Sequence, residues 1–479
     1  MTLQFQSSDK PSSPPAGAPA TGDEPLRQAL HRATLHYHNA RLKRLGELPD
    51  PQALRDLAAR IRQHTLDHLD YYLEQFATNV QRNGGQVHFA RDAAEACQII
   101  LDLAARANCR NVVQSQSMTA DEIGLPDALH RAGLHAVQTE LGRFIGQISH
   151  DRPSHPHRSM IHRDKRSIAQ ALSEFLKTPP TDNPQTMGTH VRSHLQTQFR
   201  QADMGITGAN FLIAETGQVC LVSNDGNVRQ CLAPRVLVTL AGIEKLVPRL
   251  ADLTVLLKLL GRSATGQTMP VYTSILGGQR HTAPQNPPAE FHLVLLDNGR
   301  SRILAGDHRE ALQCIGCGAC VNACPVYRNA DRQTNGAIHL GPIGAVLTPL
   351  LEGLEQHRDL PQACTLCGVC ADVCPVEIDL PTHLLNLRRE IVASRLDDPS
   401  SRKACHLWAK LMNAGFLTHA AGLLHRWRLR RSASGTEWTS QASGLLAHWT
   451  QSRDLPLPAG KTFQQLWAQR PNRKEPSHD

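Results

Sequence analysis

Leu26, Leu30, Ala33, His36 and Tyr37 recur at the spacing of one helix face, and a second run follows Pro51 through Leu54, Leu57, Ile61, Leu66, Leu69 and Tyr72. This pattern predicts helix over residues 25–83, closed by Asn83-Gly84-Gly85, residues suited to positive φ. From about 86 to 300 the pattern changes. Short apolar runs (Val112-Val113, Phe211–Ala214, Val219–Val222, Val236–Leu240, Val255–Leu257 and Phe291–Leu296) alternate with polar loops and amphipathic stretches such as 95–106. That alternation is an α/β signature. Glu215-Thr216-Gly217 and Asn224-Asp225-Gly226 read as hairpin turns, and the Pro/His-rich segment 150–163 reads as a polar surface loop. Helical pieces follow over 301–395, and a helical tail over 396–479 with an irregular turn at Pro456 and Pro458. Residues 1–24 are rich in Ser, Pro, Ala and Gly and read as disordered.

Composition adds bounds to this outline. The 479 residues suffice for two or three domains, and 41% hydrophobic with 20% charged residues are ordinary for a globular protein. Every Trp lies at or beyond Trp408, which marks the C-terminus as a separate packing unit. A formal charge of +8 is mild for this length, and no basic stripe with interleaved aromatics precedes residue 400, so nucleic acid is not expected as a partner. The N-terminus lacks the basic and apolar regions of a signal peptide, and no run reaches the roughly 20 apolar residues of a membrane span. The expected compartment is the cytoplasm, where thiols stay reduced.

Thirteen cysteines in such a compartment point to metal or redox chemistry, and eight are clustered. Cys314, Cys317, Cys320 and Cys324 precede Pro325; Cys364, Cys367, Cys370 and Cys374 precede Pro375. Both runs obey C-x2-C-x2-C-x3-C-P, the spacing of bacterial-type ferredoxins. Three closely spaced thiolates can wrap three corners of a cubane, while Gly316, Gly318 and Gly368 let backbone N–H groups approach its sulfides. In two-cluster ferredoxins the fourth Cys of each motif ligates the other cluster. The expected ligands are therefore Cys314, Cys317, Cys320 and Cys374 for one 4Fe-4S cluster, and Cys364, Cys367, Cys370 and Cys324 for the second. The helical reading between the motifs favours an all-helical dicluster domain over the compact β-rich ferredoxin. Structural zinc prefers paired C-x2-C sites separated by a longer loop and fits two identical four-cysteine runs poorly. Cys97, Cys109, Cys220, Cys231 and Cys405 read as buried free thiols.

No G-x-G-x-x-G opening a βα unit, no P-loop and no G-x-S-x-G occurs. Oxidising an organic substrate usually removes two electrons at a flavin, nicotinamide or metal centre, so substrate chemistry is expected in a partner and no residue here is assigned as catalytic. Weaker signals favour bland readings. His64 and His68 form an i, i+4 pair on a solvated face; His150, His155, His157 and His162 belong to the polar loop. Gly205–Asn210 and Arg262–Gln267 read as turns, although either could offer donors to an anion. Residues 402–436 carry seven Arg or Lys and no Asp or Glu, a basic amphipathic stretch suited to its own domain, a partner or an anionic membrane.

Together the segments GGQVHFA (84–90), VVQSQSMTADEI (112–123), GITGANFLIAETGQVCLVSNDGN (205–227), FHLVLLDNGRS (291–301), LPLPAGKTFQQLW (455–467) and both cysteine motifs resemble the lactate utilization protein B family. The resemblance implies an α/β domain over 25–300, similar in fold to the NagB/RpiA/CoA-transferase group. An α-helical ferredoxin domain over 301–395 and a helical, family-specific domain over 396–479 would follow. It also implies an electron-transfer role in oxidising L-lactate to pyruvate, with glycolate or another 2-hydroxy acid, or redox sensing, as alternatives. Its partners would be a cysteine-rich subunit and a second lactate-utilization-domain subunit, with a quinone-linked acceptor and peripheral attachment at the inner membrane face. Where that family often carries lysines, this chain reads Gln114-Ser115-Gln116-Ser117, without positive charge.

Overall fold

A computed structural model of the chain describes residues 24–151, 153–155, 159–278, 289–329 and 338–413, with scattered residues between 422 and 470. Three helices lead: α1 (Glu24–Leu45), α2 (Pro51–Asp67) and α3 (Leu69–Arg82). Asp50 caps α2, its carboxylate accepting the Ala53 N–H at 2.9 Å, and Pro51 occupies the first turn where no N–H is missed. The second helix is not continuous to residue 83 as its periodicity predicts. It breaks at His68 (φ −125°), and the new axis lets Leu69, Phe76 and Val80 face the sheet.

The central sheet is six-stranded and parallel, ordered β1 (Gln86–Ala90), β10 (Glu290–Leu296), β7 (Val236–Gly242), β4 (Met204–Thr207), β2 (Asn111–Gln114), β3 (His135–Gln138). Its middle strands are buried on both faces, which explains their unbroken apolar runs. Val236, Val238 and Leu240 point into one core with Ile100 and Leu103 of the helix Ala93–Arg106. Leu237 and Ala241 point into the opposite core with Phe76, Leu212 and Val219. That second face is covered by a four-stranded sheet, β8 (Leu246–Val247), β5 (Phe211–Ile213), β6 (Gln218–Ser223) and β9 (Tyr272–Leu276). Residues 214–217 do form the β5–β6 hairpin turn. Asn224-Asp225-Gly226 instead leads into a short helix, Asn227–Cys231, because β6 finds its second neighbour in the distant β9. Val255–Leu257 lie within the helix Leu250–Ala264, its apolar run being long enough for four turns.

The cysteine-bearing region is built from short helices, Ala319–Ala323, Pro325–Asn329, Gly341–Glu352, Val369–Asp372 and Leu380–Ala393 among them. Among the described residues it has no core of its own. Val346, Val373, Leu384 and Leu387 share one apolar cluster with Leu30, Ala58, Leu256 and Leu260 of the preceding helices.

A second compact unit begins at Asp397. Its described residues include the helix Pro399–Asn413, the antiparallel pair Trp438–Thr439 and Leu455–Pro456, and the helix Phe463–Ala468. Cys405 is exposed there, unlike the buried thiol expected. Most of the basic amphipathic stretch beyond residue 413 lies outside the described residues. Among the described residues no helix is long and apolar enough to cross a membrane.

Candidate functional site

The two cysteine motifs repeat one backbone course. Gly316 and Leu366, at equivalent positions, have φ of 71° and 55°; Gly318 and Gly368 have 71° and 83°. The left-handed turn aims N–H groups back at sulfur: Gly316 N–H donates to Cys314 Sγ (3.4 Å) and Leu366 N–H to Cys364 Sγ (3.3 Å). Leu366 accepts a conformation that costs a side-chain-bearing residue about 1 kcal/mol, which argues that the turn is required in both copies. After the fourth cysteine the copies diverge. Pro325 starts a helix, whereas Pro375 enters a turn in which Ile378 N–H donates to Cys374 Sγ (3.4 Å).

The thiols gather across the motifs. Cys317 and Cys320 have Cys314 and Cys374 as electrostatic neighbours, whereas Cys370 has Cys364, Cys367 and Cys324. Burial pushes the Cys374 thiol up to about 11 and Cys370 up to about 12, and raises Cys317 and Cys320 further. Backbone N–H groups of Val376 and Ile378 at Cys374, and of Val326 and Tyr327 at Cys324, work against that rise. Eight soft donors in two sets of four, each supplied with N–H groups that favour the thiolate, fit a pair of 4Fe-4S clusters. A metal would have to displace the protons that burial retains.

Arginines from outside the motifs hold these loops by their carbonyls. Arg62 of α2 is fully buried and donates to Leu246 O (2.6 Å), Glu244 O, Leu312 O (3.0 Å) and Gln313 O (3.1 Å). It ties the α/β region to the residues just before Cys314. Arg41 of α1 donates to Val373 O (2.9 Å) and Arg55 of α2 to Cys374 O (2.9 Å), while Arg388 donates to Cys364 O. Part of the Pro/His loop also belongs here, although His150 at its start is exposed. His155 is buried, stacks on Tyr37 and lies 3.0 Å from Asn322 Oδ1, and Tyr327 Oη donates to Ser154 O. The loop's polar groups are tolerated inside because these partners satisfy them. His157 lies outside the described residues.

A cavity of about 500 Å³ joins Cys314, Cys317, Cys320 and Cys374 to the carboxyl ends of the parallel strands. Gln116, Ser117 and Thr119 follow β2, Glu140 follows β3, Asn210 follows β4, Glu244 and Lys245 follow β7, and Arg300 follows β10. In open parallel sheets this is the end at which ligands bind, at the point where strand order reverses, here between β2 and β4. Beneath it lies a buried charge network. Arg300 donates to both oxygens of Glu122 (2.9 Å each) and to Glu244 (2.6 Å), and His339 Nε2 lies 3.2 Å from Glu122. Burial alone would raise the Glu122 carboxyl, but the hydrogen bonds of His339 and Arg300 and the Arg300 charge hold it well below the usual carboxylate range. Ser154, His162 and Asp151 also hydrogen-bond in a row (2.7 and 2.8 Å), but Ser154 is buried and does not line this cavity. That row is a strut of the loop.

Gly205 sits within β4, not in an anion-binding turn, and Arg262 is buried with its guanidinium on the carbonyls of Arg44, Lys258 and Thr268. His64 Nε2 lies 2.9 Å from Tyr72 Oη on an exposed face. Of the remaining thiols Cys109, Cys220 and Cys231 are buried and Cys97 is half-buried. Arg62 and the Arg300 network escape sequence reading, although an arginine in register with Ala58 and Leu66 on an apolar face was a usable signal.

An α/β domain whose ligand-binding end faces a paired-cysteine helical region defines a class of iron–sulfur proteins, and sequence comparison agrees: residues 73–296 match the LUD domain and residues 310–378 the 4Fe-4S dicluster domain. The chain is 40% identical to lactate utilization protein B of Bacillus velezensis over 460 residues, covering 94% of this chain and 95% of that protein. It is 39% identical to lactate utilization protein B of Bacillus subtilis, covering 94% of each. It is equally 39% identical to an "Uncharacterized electron transport protein YkgF" of Escherichia coli, covering 92% of this chain and 93% of that one. The chain belongs to the lactate utilization protein B family.

Proposed function

We propose that the chain is the iron–sulfur electron-transfer subunit of a complex that oxidises L-lactate to pyruvate. The observation that carries this reading is the grouping of Cys374 with Cys314, Cys317 and Cys320, and of Cys324 with Cys364, Cys367 and Cys370. These sets are the ligands of two 4Fe-4S clusters, each supplying a one-electron couple when bound. Exchange of the fourth ligand links the sets through Cys320–Cys324 and Cys370–Cys374, which makes a short relay. Oxidation of lactate releases two electrons and two protons, so one electron per cluster matches the stoichiometry. The two-electron step is assigned to a partner in this reading, because such oxidations usually run at a flavin, nicotinamide or metal centre and the sequence carries no G-x-G-x-x-G dinucleotide motif. The partners in this reading are a cysteine-rich subunit and a second LUD-domain subunit on the cytoplasmic side of the membrane, with a quinone-linked acceptor. The parallel sheet with its ligand end turned toward the cysteines supports placing the α/β domain with the NagB/RpiA/CoA-transferase group.

The ligand assignment is tested by double variants of the anaerobically reconstituted full chain, read by iron content and electron paramagnetic resonance. Cys317→Ser combined with Cys374→Ser should abolish one cluster and spare the other, because both belong to one set. Cys320→Ser combined with Cys324→Ser should abolish both. The reverse outcome would assign each motif its own cluster. The functional assignment is tested by adding L-lactate anaerobically to the chain assembled with its partners. Clusters that stay oxidised while pyruvate forms would reject it.

A further inference from the structure

We infer that Arg41 serves the cluster held by Cys314, Cys317, Cys320 and Cys374: its buried Nε–H is a charged hydrogen-bond donor to sulfur there, and it raises that cluster's reduction potential. The inference rests on the iron–sulfur reading above and deepens it by naming a residue that tunes the relay.

Three arginines of the leading helices reach this first set, and they are not equivalent. Arg62 places Nε, Nη1 and Nη2 on the carbonyls of Gln313, Leu246, Glu244 and Leu312. Arg55 places Nε and Nη2 on Cys374 O and Nη1 on Gln52 Oε1. Both guanidiniums are fully engaged. Arg41 is only 5% exposed, and its Nη2 is fixed on Val373 O (2.9 Å), beside Cys374. Its Nε is buried and has no protein partner among the described residues. Buried donors are nearly always satisfied, so this one calls for an acceptor that is not a protein atom. His38, one turn earlier in α1, is not that acceptor, since its own buried Nδ1 is likewise without a partner. The helix α1 is well placed for the role: it packs on Ala319–Ala323, which carries Cys320, and its Tyr37 lines the same cavity as Cys314 and Cys317.

Charge points the same way. Burial lowers the Arg41 guanidinium from its ordinary value; Cys317 opposes that fall, Arg55 adds to it and Cys374 opposes it. Two thiols of the first set are thus its electrostatic neighbours, whereas Cys324 and Cys370 of the second set have Cys364 and Cys367 as theirs. The sets also differ in exposure. Cys317, Cys320 and Cys374 are buried, while Cys367 of the second set is exposed. Reduction adds one negative charge to a 4Fe-4S cluster, and its potential follows nearby charge, hydrogen bonds to sulfur and solvent exposure. Water can stabilise the added charge at the second set. At the buried first set that stabilisation has to come from the protein, and a charge-assisted N–H on sulfur favours the reduced state over the oxidised one.

The test is an anaerobic redox titration of the reconstituted full chain, with dithionite as reductant and electron paramagnetic resonance as readout. Cys364→Ser combined with Cys367→Ser removes the second cluster and leaves the first to be titrated alone. In that background Arg41→Gln should lower the reduced-to-oxidised ratio at a fixed applied potential roughly tenfold or more, about 59 mV for a one-electron couple. Arg41→Lys keeps the charge without the Nε–H and should fall between Arg41→Gln and the parent. In the two-cluster chain the second cluster's potential should stay as it is in the parent. Pulsed electron paramagnetic resonance of the parent, labelled with 15N in its arginine guanidinium groups, should show nitrogen coupled to the reduced first cluster. Both variants should lose that coupling, so Arg41→Lys supplies the same comparisons if Arg41→Gln loads iron poorly. An unchanged potential at full iron content, an equal fall at both clusters, or no guanidinium coupling in the parent would overturn the inference, the last by assigning the Nε–H to a buried water. Neither readout uses lactate or a partner. Clusters of the assembled complex that L-lactate leaves oxidised would therefore remove the electron-transfer role without touching the tuning by Arg41.

Discussion

Replacing Arg62 by Met keeps much of the side-chain volume and removes four donors at once. Four backbone carbonyls, on Glu244, Leu246, Leu312 and Gln313, then lose this hydrogen-bond donor, the first three in a buried setting and the last in a part-buried one. Burial brings the guanidinium down to about 10, so it is still charged at neutral pH and its four bonds are charge-assisted. Each orphaned carbonyl can cost about 1–3 kcal/mol, but the desolvation penalty of the arginine is recovered and the loops relax. We expect a net loss of about 3–5 kcal/mol, the range for breaking a buried charged cluster. That is a large share of the roughly 5–15 kcal/mol that stabilises a typical domain. Because two of the carbonyls immediately precede Cys314, the damage should be local as well as global. Urea denaturation of the apo and reconstituted protein, with iron analysis, measures both. A variant within about 0.5 kcal/mol of the parent that retains both clusters would refute the clamp, since surface substitutions fall in that range.

Other expectations follow from the same structure. Glu122→Gln should destabilise by about 3–5 kcal/mol by leaving Arg300 half-paired, read by thermal unfolding. It should also change the acid limb. The Glu122 carboxyl is held below its ordinary value near 4.5, so its contribution is complete above that pH and lost as pH falls toward the folded value. The variant's stability should therefore decline less steeply below pH 4.5, and identical slopes would contradict the assignment. Gly205→Ala would set a Cβ 1.9 Å from Cys231 O and should abolish soluble expression or cost more than about 3 kcal/mol. Gly316→Ala meets no protein atom within 4 Å, so in urea denaturation of the apo chain it should cost only its φ of 71°, about 1 kcal/mol.

Chemistry was more legible in the sequence than architecture. The eight cysteines announce themselves by spacing, and Gly316, Gly318 and Gly368 were singled out for close backbone approach, but Leu366 takes the same left-handed turn as Gly316 with no glycine to signal it. Buried strands such as Val236–Leu240 were readable because a parallel strand covered on both faces is apolar throughout. The Pro/His loop misled because local polarity predicts exposure, whereas His155 finds Tyr37 and Asn322 from distant parts of the chain. The cavity was legible only in pieces. Gly205–Asn210, Arg262–Gln267 and the segment after β2 stood out separately, and only the fold brings them together with the cysteines.

The shared apolar cluster has a consequence for how the protein is made. Arg41 and Arg55 near the N-terminus are secured by carbonyls of Val373 and Cys374, more than 300 residues later. At roughly 5–20 residues per second on the ribosome, α1 and α2 wait about 15–65 seconds for those partners. Leu256 and Leu260 cover part of their apolar faces sooner, but the cover from Val373, Leu384 and Leu387 comes last. Under the proposed exchange of Cys374, the first ligand set is likewise completed only in the nearly finished polypeptide, and a message truncated before codon 374 leaves it open.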